Sequence, residues 1–223
     1  AGHTTFRGGI AGDADCILIP EVGVDFDVVY RHMKKVFTRR VNESEYRTGT
    51  YLIVVNEGIQ DETGSSHSDD SVSVDAFGHK KLGGSGKYVR EQLAKRLKND
   101  PEMEEFYKKT GLYVEGMNVL PEVRESVPGY LTRSGYSSAL DVNFGKDAGA
   151  GAVVLLTLGI RGVTVAGLYD GTVQYMSTQK AIEQRMVSLE NISFYEQMDV
   201  CFGRNVDGYL SKSDEVTNAW SYL

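Results

Sequence analysis

Two short apolar runs decide most of what this chain can become. Cys16-Ile-Leu-Ile-Pro20 and Tyr51-Leu-Ile-Val-Val55 are continuous rather than alternating, the pattern of strands buried on both faces. Between them, residues 27–41 set Val28, Val29, Met33, Val36 and Phe37 on one helical stripe, as an amphipathic helix packed on a sheet requires. Strand, helix and strand in so short a span make a βαβ unit, and such units build parallel sheets. Arg31, Lys34, Lys35, Arg39 and Arg40 fall mostly off the stripe, which predicts a solvated helix face.

Turn chemistry divides the rest of the chain. Residues 61–75 are polar, serine-rich and acidic and read as a surface loop. Gly83-Gly-Ser-Gly86 leads into a helix over 87–99, and Pro101 opens another that Gly111 closes; both assignments follow the preference for proline at a helix start and glycine beyond its end. Residues 119–127 alternate loosely and predict a strand. Ser138 and Asp141 form a capping pair for a long helix to about Leu158, stopped at Gly159. Gly145, Gly149 and Ala152 leave one face of that helix free of bulk for a close backbone approach. Residues 162–176 alternate about Asp170-Gly171, a hairpin signal. The remainder, from Thr178, reads as short helices and an irregular tail. The first ten residues carry no start signal for a helix or a strand.

Composition narrows the function classes. The 223 residues hold 24 Lys and Arg against 31 Asp and Glu, a net charge of −7, so an anionic ligand must be held by local positive groups against the overall field. A nucleic-acid surface is not expected. No apolar run is long enough to span a membrane and no signal-peptide pattern opens the chain. The two cysteines, Cys16 and Cys201, are too few and too separated to suggest a disulfide framework or a zinc site. These features predict a soluble, cytoplasmic protein with no membrane or nucleic-acid partner.

Several motifs invite chemistry. Gly83-Gly-Ser-Gly-Lys87 resembles a phosphate loop, but Tyr88 stands where Ser or Thr is needed and Lys81 where the first glycine belongs, so a helix start is the better reading. His3, His32, His67 and His79 have no metal-ligand spacing. Glu57 lies directly beyond a buried strand, where open α/β sheets bind ligands; the alternative is a strand-end carboxylate paired with a lysine. Arg124, Tyr130 and Arg133 have the donors for a phosphate pocket, with surface salt bridges as the other reading.

The order of motifs is more specific than any one of them. Asp13-Ala-Asp15-Cys-Ile-Leu-Ile-Pro-Glu21, Ile53-Val-Val-Asn-Glu57-Gly, Asp75-Ala-Phe-Gly-His-Lys-Lys-Leu-Gly-Gly84 and Arg124-Glu-Ser-Val-Pro-Gly-Tyr-Leu-Thr-Arg133-Ser-Gly succeed one another. From Ala1 to about Val173 the chain resembles the C-terminal half of a 6-phosphofructokinase, in the branch that mixes ATP-dependent and pyrophosphate-dependent members. The resemblance implies an α/β, Rossmann-like three-layer fold, a mostly parallel sheet flanked by helices and incomplete without an N-terminal half. It implies a sugar-phosphate-binding domain over residues 1–160, and a hairpin and helices over 161–223 that pack back on the N-terminal domain.

It also implies roles. Glu57 falls where the family contacts the fructose 6-phosphate sugar. Arg124 falls where an arginine reaches a neighbouring subunit's 6-phosphate, so a homo-oligomer is implied. Arg133 is the arginine of the family's Gly-His-x-x-Arg-Gly-Gly turn, whose histidine is Tyr130 here. The family's Gly-Gly-Asp donor loop, its catalytic-aspartate segment and its Met-Gly-Arg turn do not occur in these residues. The implied enzyme is a glycolytic kinase that transfers a phosphoryl group from ATP or pyrophosphate to the sugar's 1-hydroxyl, with pyrophosphate favoured. Its Mg²⁺ ligands and aspartate base lie in the other half, so this chain alone is expected to be inactive. A non-catalytic sugar-phosphate-binding subunit and a ligand-free α/β interaction domain are the alternatives.

Overall fold

Strand β1 (Cys16–Leu18) is the centre of the fold. Cys16, Ile17, Leu18 and the following Ile19 are fully buried, and the strand pairs in parallel with β3 (Ile53–Val55) through Ile17 opposite Val54. On its other edge Cys201 adds a parallel bridge to Cys16, with the Ile17 N–H donating to the Cys201 carbonyl at 2.9 Å. The computed structural model that shows this describes residues 1–61, 63–64, 84–129, 131 and 134–206. The predicted loop over 61–75 therefore lies mostly outside the described residues, as do His67 and His79.

Alternation along β1 sends its side chains into two separate cores. Cys16 and Leu18 pack with Phe26 and Val29 of α2 (Phe26–Glu43) and with Val89 and Leu93 of α3 (Ser85–Lys98). Ile17 and Ile19 pack with Phe6 of α1 (His3–Ala11), Ile192 of α7 (Leu189–Glu196) and Phe202. Helices thus cover both faces of a parallel sheet, the three-layer α/β arrangement the sequence implied. The sheets are small: β2 (Gly23–Val24) and β4 (Gln60–Asp61) form a second parallel pair. Burying one aliphatic side chain of this size contributes about 1.5–3 kcal/mol.

Local chemistry sets the helix ends. The Asp25 carboxylate accepts from Asp27 N–H at 2.7 Å to start α2, and Asp100 accepts from Glu102 N–H at 3.0 Å to start α4 (Pro101–Thr110), which Gly111 ends at φ 76°. A third core joins Met33, Phe37 and Val41 of α2 to Leu97 of α3 and to Met103 and Tyr107 of α4. The basic face is exposed at Arg31, Lys35 and Arg39, as predicted, and it also carries ion pairs. Lys34 Nζ donates to Asp100 at 2.6 Å, Lys35 Nζ to Asp199 at 2.9 Å, and Arg40 makes two bonds to Asp15 at 2.7 and 2.8 Å.

Two further expectations change. Residues 119–127 form no strand: Pro121 and Pro128 lack the N–H groups a ladder needs, and the nearby pairing is an isolated bridge between Val114 and Asn118. The opening residues do form a helix, α1. Its glycines are poor helix formers, but Gly9 lies so close to Ile17 that an added Cβ would meet that side chain at 2.7 Å. Gly9 is what lets α1 sit on the strand.

A second unit, Val127–Arg185, is distinct from the first, which joins Ala1–Ser126 to the described residues from Met186 on. These divisions fall at 126/127 and 185/186, whereas the resemblance implies a single division at 160/161. The second unit holds α5 (Ala139–Thr157), capped by Ser138, and a hairpin of β5 (Val163–Tyr169) and β6 (Thr172–Ser177). Asp170 and Gly171 turn it with φ 49° and 72°, both positive as a type I′ turn demands. A one-turn helix, α6 (Thr178–Ala181), comes next. Close approach to α5 falls at Gly151, where a Cβ would meet Val173 and Val165 at 3.1 and 3.2 Å, while Gly145 and Gly149 face no atom within 4 Å.

Candidate functional site

The carboxyl ends of β1 and β3 gather three chain segments. Beyond β1 comes Pro20-Glu21, beyond β3 comes Asn56-Glu57-Gly58, and α1 begins beside them. The Glu21 carboxylate accepts from Gly2 N–H at 2.8 and 3.1 Å and from Val187 N–H at 3.1 Å. Burial pushes this carboxyl up, but the amides outweigh it and hold Glu21 below the ordinary carboxylate range. A carboxylate at a helix N-terminus also satisfies the positive end of α1. Glu21 is thus a structural clasp.

Glu57 stands on the next turn, exposed. The turn is fixed on both sides of it. Asn56 N–H donates to the Leu18 carbonyl at 2.9 Å, and Ile59 is buried. Asn56 Oδ1 accepts from Gly58 N–H at 2.9 Å, and Asn56 Nδ2 donates to Thr5 Oγ1 of α1 at 2.9 Å. A carboxylate carried at the carboxyl edge of a parallel sheet on a braced turn can accept hydrogen bonds from a polyhydroxy ligand. Neither Thr5 nor Asn56 stood out in the sequence, and only the Asn-x-Gly turn chemistry signals one of them.

Arg124 lies on the irregular segment after Pro121, with 81% of its side chain exposed and Nη2 on Glu122 at 2.6 Å. Its pairing matches the salt-bridge reading within this chain. No described bond joins Arg124 to Glu57. Tyr130 and Arg133 lie outside the described residues. Their neighbours Gly129 and Gly135 have φ of 53° and 96°, conformations that glycine adopts without strain.

The remaining candidates resolve into structure. His32 Nδ1 meets Tyr51 Oη at 2.7 Å and its Nε2 meets the Asp199 carbonyl at 3.0 Å. Burial holds this imidazole below its ordinary value despite the pull of Asp199. Cys16 and Cys201 are free thiols on facing bridge positions, and burial pushes the Cys16 thiol well up. Gly84, with φ 82°, precedes α3 as the helix-start reading of its motif expects. A surface concavity of about 460 Å³ opens between α2, α3 and the start of α4, but no candidate residue lines it, and Tyr30 Oη and Asp100 within it bond to each other at 2.7 Å. Among the described residues no cluster of His, Cys, Asp and Glu suits a metal ion. These residues do not fit a Mg²⁺ site, so none of them is assigned a step through one. No helix among them is long and apolar enough to cross a membrane.

The parallel α/β core agrees with the comparison of sequences. The family described as Phosphofructokinase matches residues 1–156, and the chain belongs to that family. A pyrophosphate--fructose 6-phosphate 1-phosphotransferase of Dictyoglomus thermophilum is 31% identical over 166 residues, which cover 74% of this chain and 40% of that protein. An ATP-dependent 6-phosphofructokinase 1 of Synechocystis sp. is 31% identical over 159 residues, 71% of this chain and 35% of that protein. A pyrophosphate--fructose 6-phosphate 1-phosphotransferase of Amycolatopsis mediterranei is 29% identical over 203 residues, 91% of this chain and 50% of that protein. The chain therefore spans between a third and a half of the length of these relatives.

Proposed function

We propose that this chain supplies the acceptor side of a phosphofructokinase, binding fructose 6-phosphate for phosphoryl transfer to its 1-hydroxyl. The observation that carries the reading is the position of Glu57, exposed directly beyond β3 in a chain that matches the family over residues 1–156. In this reading the Glu57 carboxylate accepts hydrogen bonds from the sugar hydroxyls. Arg124, Tyr130 and Arg133 donate to the 6-phosphate, Arg124 to that of a neighbouring subunit. Guanidinium groups suit this because their paired donors match two phosphate oxygens. Holding the sugar at both ends orients the 1-hydroxyl for in-line attack, which raises the rate without any group here taking a proton.

The base, the donor site and Mg²⁺ are assigned to the remaining length of the protein. Mg²⁺ would neutralise the charge of the transferring phosphoryl group. That same length is proposed to cover α5 of the second unit, where Leu140, Phe144, Val153, Val154 and Leu156 are exposed. Of the two donors in the relatives' names we favour pyrophosphate, because Asp75-Ala-Phe-Gly-His79 and Tyr130 resemble pyrophosphate-using members. In the full-length protein, Arg133→Ala is expected to weaken fructose 6-phosphate binding roughly 10- to 100-fold by calorimetry, the value of charged hydrogen bonds. Unchanged affinity would remove Arg133 from the site.

A further inference from the structure

We infer that Asn56, braced by Thr5, is a positioning residue for Glu57. The inference rests on the reading of Glu57 as the sugar contact. A backbone N–H can only donate, so the Asn56 atom facing Gly58 N–H at 2.9 Å is its oxygen. Its amide nitrogen therefore faces Thr5 Oγ1, also at 2.9 Å, and both halves of the amide are used. One bond closes the turn under Glu57 and the other ties that turn to helix α1.

The helix itself is held in place. Glu21 fixes Gly2 at the start of α1, and Gly9 seats the same helix on Ile17. The connection runs from the loop after β1, through Gly2 and Thr5, to the loop after β3. Asn56 is where it reaches the Glu57 backbone. The Glu57 carboxylate makes no hydrogen bond or ion pair among the described residues, so the backbone is ordered while the side chain stays available. A turn ordered beforehand spares ligand binding the entropy of ordering it.

A double-mutant cycle in the full-length protein tests the link, with fructose 6-phosphate affinity read by calorimetry and KM and kcat read in the transfer assay. Asn56→Ala is expected to weaken affinity and raise KM roughly three- to tenfold, the range of one hydrogen bond, with kcat less affected. Added to Glu57→Ala it should weaken affinity no further, because Asn56 acts through Glu57. Thr5→Val, which removes the acceptor at constant shape, should match Asn56→Ala, and Thr5→Ser should restore what Thr5→Val loses. Thr5→Val carries the test should Asn56→Ala not fold. Full additivity of Asn56→Ala with Glu57→Ala overturns the inference, as does unchanged affinity in Asn56→Ala and Thr5→Val. Unchanged affinity in Glu57→Ala instead removes the sugar contact itself, and the inference falls with it.

Discussion

Strand β1 in the first unit and the second half of helix α5 in the second, Ala148 to Leu156, are both built from continuous runs of apolar and small residues, yet the chain treats them oppositely. Every residue of β1 is buried, between α1 and α7 on one face and α2 and α3 on the other. In α5 only Gly151 and Leu155 are buried, while Leu140, Phe144, Val153, Val154 and Leu156 are exposed. A helix apolar on most sides has the composition of a buried element, and exposed apolar patches of this kind mark interaction surfaces. The first unit closes its own core. Among its described residues the second unit leaves these apolar side chains exposed, the face that the proposed packing against the remaining length of the protein would cover.

The sharpest way to break this comparison is a truncation inside β1. Ile17→Ala is expected to cost about 2–5 kcal/mol by urea unfolding, because it empties a fully enclosed site. A cost below about 1 kcal/mol would mean that the β1 core is loose.

A smaller effect separates the polar supports of the first unit. Burial depresses His32 below its ordinary 6.5. A depressed group contributes stability that is present above the unfolded value and is lost as pH falls through the folded value. The thermal midpoint of the first unit should therefore begin to fall as pH drops below 6.5. The decline should continue as Asp199 and Asp100, both held below the ordinary carboxylate range, protonate. His32→Gln should flatten the upper part of that slope. A slope unchanged in His32→Gln would assign the loss to the carboxylates alone.

The smallest effect belongs to α5. Leu156, 63% exposed, should change the stability of this chain by less than about 0.5 kcal/mol when replaced by alanine. In the full-length protein the proposed covering of this face raises that cost to about 2 kcal/mol or more. Equal costs in both settings would show that nothing packs there.

What the sequence made legible was local. Ser138, Pro101, Gly111 and Asp170-Gly171 act on neighbouring backbone, so their helix ends and turn could be read directly. The apolar runs marked β1 and β3 for the same reason. Helix α1 was not legible, because its start is held by Glu21 and its glycine by Ile17, both distant in sequence. The strand expected over 119–127 failed because pairing needs a neighbour, which no local pattern supplies. Glu57 was legible from its place after an apolar run. Its brace was not, since Thr5 and Asn56 meet only when α1 lies across the sheet. For Arg124, the alternative of a surface ion pair is what the chain displays.

The bridge from Cys16 to Cys201 has a consequence for the order in which the molecule is made. β1 leaves the ribosome well before Cys201, the residue that completes one of its two edges. At elongation rates of roughly 5–20 residues per second, that edge waits on the order of ten seconds or longer. The whole second unit emerges during the wait. Closing such a distant contact is slow in any chain, so the nascent first unit passes through a period with an open strand edge, the stage at which chaperone capture and misassociation compete with folding.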